Sequence, residues 1–297
     1  MHESETENQV HLLYENVIAK VTLWAEPRQD MRAAVIIGSR ARVDYPADEW
    51  ADLDIIVITT EPEYYLFNDD WIKDIGPFLL TFVEPTIGGG MERRVLFEGM
   101  IDVDFAFFSE ERINLLKEMS PEMIVQLQDI FGRGIRVLFD KDKIVHQLQS
   151  YTSSRVPYLP PTKQEFHDVI SDFLYHCIWT TKHLRRGELW WAKECCDSHL
   201  KGLLLTMVEW HSRVLQGWNY DTWFRGRFLE QWADPRVLEG LKNAFSYYDE
   251  KDAKRALVAT MELFRWVAVE TGERLEYFYL DEADERVTSW VRACLSI

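Results

Sequence analysis

At 297 residues, 47% apolar and 28% charged, the chain excludes a disordered or low-complexity polymer and is long enough to bury a core in each of two ordinary domains. Fifty acidic against 33 basic residues leave a formal charge of −17, which argues against a nucleic-acid or anionic-membrane surface and for a cationic ligand. No apolar run approaches the roughly 20 residues a bilayer span needs. The start MHESETENQ does not read as a signal peptide, and the four cysteines include no CxxC, so the expected location is the reducing cytoplasm.

Val10, Leu13, Tyr14, Val17, Ile18, Val21 and Trp24 recur at helical spacing, which predicts an amphipathic helix over about 6–25, ended before Pro27. An apolar run at 33–37 predicts a short buried strand, Gly38-Ser39 a turn, 40–43 the start of a short helix, and 52–59 a second strand. A short helix is expected over 68–75, with Asn68 as its cap and Gly76-Pro77 as its stop. Then come a strand at 78–83 and a flexible connection at the glycines 88–90, which lack the GK[ST] of a P-loop. Residues 93–97 and 101–108 read as a hairpin about Glu98-Gly99, and Arg93 and Arg94 as surface arginines. A helix over 109–119 and a last strand at 134–139 complete a small mixed α/β sheet.

Composition changes across 151–161, where Pro157, Pro160 and Pro161 fall, so the domains are expected to be 1–150 and 151–297. Thr162 and Glu165 form a capping-box pattern, opening a helix broken at Gly187. Further helices are expected over 188–215, 234–247, 250–271 (ended by Gly272) and 281–295. Nothing after residue 160 reads as a strand, so the fold class is α+β: a mixed sheet with helices, then an all-α helical bundle.

The chemistry concentrates in AAVIIGSRARVDYPADEWADLDIIVITT, residues 33–60. A Gly-Ser turn after a buried strand offers backbone N–H groups and a hydroxyl to a phosphate. Asp52 and Asp54 are two apart on a strand and face one way; Asp102 and Asp104 do the same on another strand. Several carboxylates within apolar strands require a cationic partner, and one or two Mg²⁺ ions about 4 Å apart suit oxygen donors that leave places for phosphate and water. In the second half, Trp190, Glu194, Asp197 and Lys201 fall at spacings of four, three and four, one stripe of a helix, for which an internally ion-paired solvated face is the plain reading. Trp190-Trp191 reads as core. His167, His176 and His183 are spaced nine and seven apart, which does not predict a metal site.

GSR, then DxD entering an apolar strand, then the acidic strand Ile101-Asp102-Val103-Asp104-Phe105 and a Trp-rich stretch over 166–211, resembles the aminoglycoside 6-adenylyltransferases (the streptomycin adenylyltransferase family) of the nucleotidyltransferase superfamily. The resemblance covers most of the chain. It implies a nucleotidyltransferase-type sheet followed by a helical substrate-binding domain, with Mg²⁺ as cofactor and ATP as co-substrate. AMP would pass to a hydroxyl of a cationic aminoglycoside such as streptomycin, and pyrophosphate would leave. Gly38, Ser39 and Arg40, with Lys193 or Lys201, would meet the triphosphate; Asp52, Asp54 and Asp104 would carry metal and catalysis. The family pattern favours Asp104 over Asp102 as third acid, and Asp102 stays a candidate ligand. Glu194, Asp197 and Trp190 would meet the acceptor. Another acceptor (a different antibiotic, a metabolite or a protein) and a catalytically silent nucleotide binder are the alternatives; a monomer or weak homodimer is expected.

Overall fold

The computed structural model describes residues 2–86, 90–111, 131–146 and 158–296. The chain divides into two compact units, Met1–Val156 and Pro157–Ile297.

In the first unit, α1 (His2–Ala25) is followed by β1 (Met31–Ile37), a 3₁₀ turn at Gly38–Arg40 and β2 (Leu53–Thr59). A separate short helix, α2 (Pro62–Phe67), comes first, and of the helix expected over 68–75 only α3 (Ile72–Ile75) forms. Pro62 opens α2, where its missing N–H has no helical partner to lose. Asn68 does not cap a long helix; its side-chain carbonyl accepts the Asp70 N–H at 2.9 Å and closes a local turn. Strands β3 (Phe78–Thr86), β4 (Gly90–Phe97), β5 (Ile101–Phe108) and β6 (Arg136–Asp140) complete a mixed sheet in the order β3-β4-β5-β2-β1-β6. Only β2 and β5 run parallel; the other neighbours are antiparallel. The expected helix over 109–119 lies mostly outside the described residues, as do Gly88 and Gly89.

Strand alternation sorts the sheet into two faces. Leu53, Ile55 and Val57 of β2 and Val103, Phe105 and Phe107 of β5 are buried with Tyr14, Ile18, Val21 and Trp24 of α1, and Trp71 packs edge-on to Phe105. Ile56 and Ile58 point the other way, into a smaller cluster with Ala33, Val35, Phe131, Ile144 and Val145. This lesser face carries Asp54 and Asp104, each two residues before an apolar neighbour of the same parity. The apolar face anchors the strands, and the acidic residues occupy one end of the opposite face.

The second unit has helices and no strand among its described residues: α4 (Lys163–Arg185), α5 (Leu189–Glu194), a π-helical turn (Cys195–His199), α6 (Leu200–Gln216), α7 (Leu229–Trp232), α8 (Pro235–Ala244), α9 (Glu250–Leu275) and α10 (Asp281–Leu295). The capping box at Thr162 and Glu165 forms as the sequence predicts. Phe166, Ile170 and Phe173 of α4 and Phe264 and Val267 of α9 share one core, with the Phe173 and Phe264 rings stacked at 3.6 Å. Gly272 does not end its helix. A Cβ there would sit 2.9 Å from the Tyr277 carbonyl oxygen and 3.1 Å from the Phe166 ring, so packing demands the glycine. The helix stops at Glu276, in left-handed conformation.

Candidate active site

The parallel pairing of β2 and β5 places Asp54 directly opposite Asp104. Asp52 lies just before β2 with the same parity, and one carboxylate oxygen from each of the three lies within 4.8 Å of the others. The turn after β1 closes the group from a second side, because Ile37 pairs with Asp54. Gly38 has φ +68°, and a Cβ on it would fall against the Asp54 Oδ2. A side chain is therefore excluded twice, by backbone conformation and by the approaching carboxylate. Beside it, the Ser39 Oγ is buried and has no hydrogen-bond partner among the described residues.

Asp104 is 8% exposed. Burial raises its carboxyl to about 7 against the pull of Arg94, with Glu92, Asp52 and Asp102 adding to the rise. Arg94 stands opposite Asp104 on β4 and pairs with Asp104 at 3.2 Å, Glu92 at 2.9 Å and Glu84 at 2.6 Å. Neither arginine of β4 is the surface residue the sequence suggests. Arg93 is buried and donates through Nε to the Leu66 carbonyl at 3.0 Å, and Arg94 is half-buried within three carboxylates. Position in the pairing register decides this, and single-strand periodicity does not carry it.

Arg40 does not point into open solvent. Its guanidinium donates to the carbonyls of Asp52 (3.0 Å) and Ala51 (2.6 Å) and lies 3.3 Å from the Tyr14 ring centre. It thus fixes the loop that delivers Asp52. Tyr14 in turn donates to Asp102 at 2.6 Å. Asp102 is exposed, held by this bond, and lies outside the three-carboxylate group. Arg94, Glu92 and Tyr14 are the neighbours that sequence reasoning missed. Glu92 and Arg94, two apart on β4, were visible in the sequence, but the partner strand was needed to give them meaning.

An oxygen-only set of three carboxylates, with the unsatisfied Ser39 hydroxyl and a glycine cradle beside it, fits a hard divalent cation carrying phosphate. The residues expected to hold such a group are therefore together in the first unit: Gly38, Ser39, Asp52, Asp54 and Asp104.

The helical candidates divide differently. The π turn interrupts the predicted 188–215 helix, so Trp190, Glu194, Asp197 and Lys201 do not form one continuous stripe. Trp190 and Glu194 line an open groove of about 590 Å³ with Glu188, Trp191 and Tyr248. Trp190 is 76% and Trp191 57% exposed, which corrects their reading as core. Lys193 donates to Asp197 (2.7 Å), to the Ser246 hydroxyl (2.7 Å) and to its carbonyl (2.8 Å). The other Asp197 oxygen is buried without a hydrogen-bond partner among the described residues. Lys201 donates to the Cys196 carbonyl at 3.0 Å and to Thr260 at 2.9 Å, and burial lowers its ammonium pKa.

The chain is similar to known proteins along most of its length. A family model described as streptomycin adenylyltransferase matches residues 13–294. The aminoglycoside 6-adenylyltransferase of Bacillus subtilis (strain 168) is 23% identical over 270 residues, covering 88% of this chain and 90% of that protein. That of Campylobacter jejuni is 21% identical over 274 residues, covering 90% and 91%. Among solved structures, an aminoglycoside 6-adenyltransferase from Bacillus subtilis aligns over 94% of this chain and 96% of its own, at 20% identity and a TM-score of 0.45.

Proposed function

The chain belongs to the streptomycin adenylyltransferase family, and from that premise we propose that it moves AMP from Mg-ATP to a hydroxyl of a cationic aminoglycoside such as streptomycin, releasing pyrophosphate. The observation that carries this reading is the convergence of Asp52, Asp54 and Asp104 within 4.8 Å beside the unpartnered Ser39 hydroxyl. Family membership makes the chain a nucleotidyltransferase; the acceptor, the nucleotide and the ion are the proposed part.

Asp52, Asp54 and Asp104 would hold Mg²⁺, which when bound neutralises phosphate charge and orients the triphosphate. Gly38 lets the turn approach the nucleotide closely, and Ser39 donates its hydroxyl to a phosphate oxygen. The acceptor hydroxyl attacks the α-phosphorus, the bond to the β-phosphate oxygen breaks, and the hydroxyl proton leaves. Asp104 either completes the ion's site or accepts that proton; the second role suits the raised carboxyl that burial gives it in the ion-free site. Arg40 supports the site through the Asp52 carbonyl, and phosphate contact by it, Lys193 or Lys201 would require each to leave its present partners. For the acceptor, Trp190 and Glu194 offer an aromatic wall and a carboxylate on an exposed groove, a combination suited to an aminocyclitol cation, with Asp197 as a further acid nearby in sequence. The net charge of −17 favours such a ligand.

The test is pyrophosphate release on mixing the protein with ATP, Mg²⁺ and streptomycin, with a mass spectrum showing one AMP added to the antibiotic. Release that disappears in Asp54→Asn supports the assignment. A thermal shift with Mg-ATP but no product from streptomycin moves the acceptor to another compound. Neither shift nor release overturns the nucleotide reading.

A further inference from the structure

A second convergence of ligand-type side chains lies in the helical unit and shares no residue with the nucleotide site or the acceptor groove. Asp172 and His176 are one turn apart on α4 and so share a face. His199 ends the π turn that joins α5 to α6. The distances are 2.9 Å from His199 Nε2 to Asp172 Oδ1, 3.2 Å from His199 Nε2 to His176 Nδ1, and 2.5 Å from His176 Nδ1 to Asp172 Oδ1. The two imidazole rings lie 4.1 Å apart, centre to centre. We propose that Asp172, His176 and His199 form a binding site for a borderline transition-metal dication of the Zn²⁺ class.

Donor chemistry is the first support. Two imidazole nitrogens and one carboxylate oxygen suit Zn²⁺, Ni²⁺ or Cu²⁺, whereas Mg²⁺ prefers oxygen donors alone. The protein would thus keep two ions apart by ligand type: an all-oxygen set on the sheet and a nitrogen-rich set in the helices. Geometry is the second. A tetrahedral ion at roughly 2.0–2.1 Å from each donor sets the donors about 3.3 Å apart. The two nitrogens already stand at 3.2 Å, so the Asp172 carboxylate has to withdraw by a side-chain rotation and His176 Nδ1 has to give up the Asp172 backbone carbonyl 3.0 Å away. The third is how His199 comes to face α4. A π turn holds about one residue more than an α turn, which rotates the next stretch of helix by roughly 100° relative to an unbroken one. The irregular turn therefore sets the direction of this histidine, and such turns recur at ligand sites. The side chains are 39%, 29% and 42% exposed, which leaves a way in for the ion and a place for water as fourth ligand.

The three groups also satisfy one another if Asp172 accepts from both rings, so the experiment must separate a metal site from a hydrogen-bond cluster. Full-length protein, stripped with EDTA and dialysed, is titrated with Zn²⁺ against a chromophoric chelator in millimolar Mg²⁺. The expected result is one equivalent bound with micromolar or tighter affinity. It should survive in the Asp52→Asn/Asp54→Asn variant and weaken at least tenfold in His199→Gln and in Asp172→Asn. Co²⁺ loaded in place of Zn²⁺ should show visible ligand-field bands that His199→Gln abolishes. Because His199 is 42% exposed, His199→Gln should fold, which far-UV circular dichroism verifies. No Zn²⁺ binding, or equal binding in wild type and in both folded variants, overturns the proposal. So does binding that survives His199→Gln and disappears with the sheet aspartates.

Discussion

The sheet face of the first unit and the lysine–acid network of the second unit hold the same kinds of residues in opposite conditions. On the sheet, three carboxylates converge, one is pushed to about pKa 7 by burial, and a neighbouring hydroxyl lacks a partner. In the helices, Lys193 is saturated by Asp197 and Ser246, and Lys201 by Cys196 and Thr260. Like charges held together without sufficient counter-charge are costly in the resting protein, and that cost is relieved by a ligand. A cation already bonded on all sides gains little from one. The contrast lies in the cations: the sheet carboxylates leave a demand that a bound cation would meet, whereas the two lysines are already bonded, although one Asp197 oxygen beside them has no hydrogen-bond partner among the described residues.

The sharpest way to break this contrast is to neutralise one member of the sheet cluster. Asp54→Asn should lower kcat/KM for nucleotidyl transfer by about 10²–10³-fold, the usual cost of losing one preorganised electrostatic contact to the transition state. Steady-state pyrophosphate release measures it, and a loss below tenfold would remove Asp54 from the centre. Gly38→Ala comes next. A Cβ would press on Asp54 Oδ2 in a backbone conformation that costs an L-residue about 1–2 kcal/mol. Turnover should fall about 10–100-fold, with the melting temperature lowered by a few degrees at most.

A pH series addresses the raised carboxyl. The Asp104 pKa rises from 3.8 to about 7 on folding, so the folded state keeps its proton where the unfolded chain has lost it. The stabilisation is complete below pH 3.8 and is lost as pH rises through 7. In EDTA, Asp104→Asn should flatten the fall in melting temperature over that window, a slope of up to about 1.4 kcal/mol per pH unit. An unchanged profile would show that burial does not hold the proton.

The smallest effect belongs to the helical network. Lys201→Met preserves side-chain volume and removes a buried ammonium, so stability should change by less than about 1.5 kcal/mol. The KM for ATP should stay within about threefold of wild type. A tenfold rise in that KM would make Lys201 a phosphate contact and erase the contrast between the two units.

Much of the sheet unit was legible residue by residue. Charges at period two inside apolar runs identify Asp52, Asp54 and the pair Asp102 and Asp104, because a buried strand tolerates them only for a reason; the resemblance, not the pattern, preferred Asp104. Arg40, Arg93 and Arg94 were not legible, since their roles depend on which loop or strand lies opposite. In the helices, the periodicity located α4, α9 and α10, but not the π turn. That turn splits the apparent stripe from Trp190 to Lys201 and brings His199 to Asp172 and His176. The i, i+4 spacing of Asp172 and His176 was the available signal, and a search for histidine pairs alone passes over it.

The sequence by itself determined the first long helix, the two acidic strands, the helices α4, α9 and α10, and the glycine at the turn, because alternation, helical period and turn chemistry are local properties of the chain. The tertiary structure decided that Asp54 faces Asp104 across a parallel pair, that Gly38 is pressed against Asp54, and that the lysines of the helical unit are already bonded. Pairing register and long-range burial set those contacts. Both depend on residues tens of positions apart, and no local pattern encodes them.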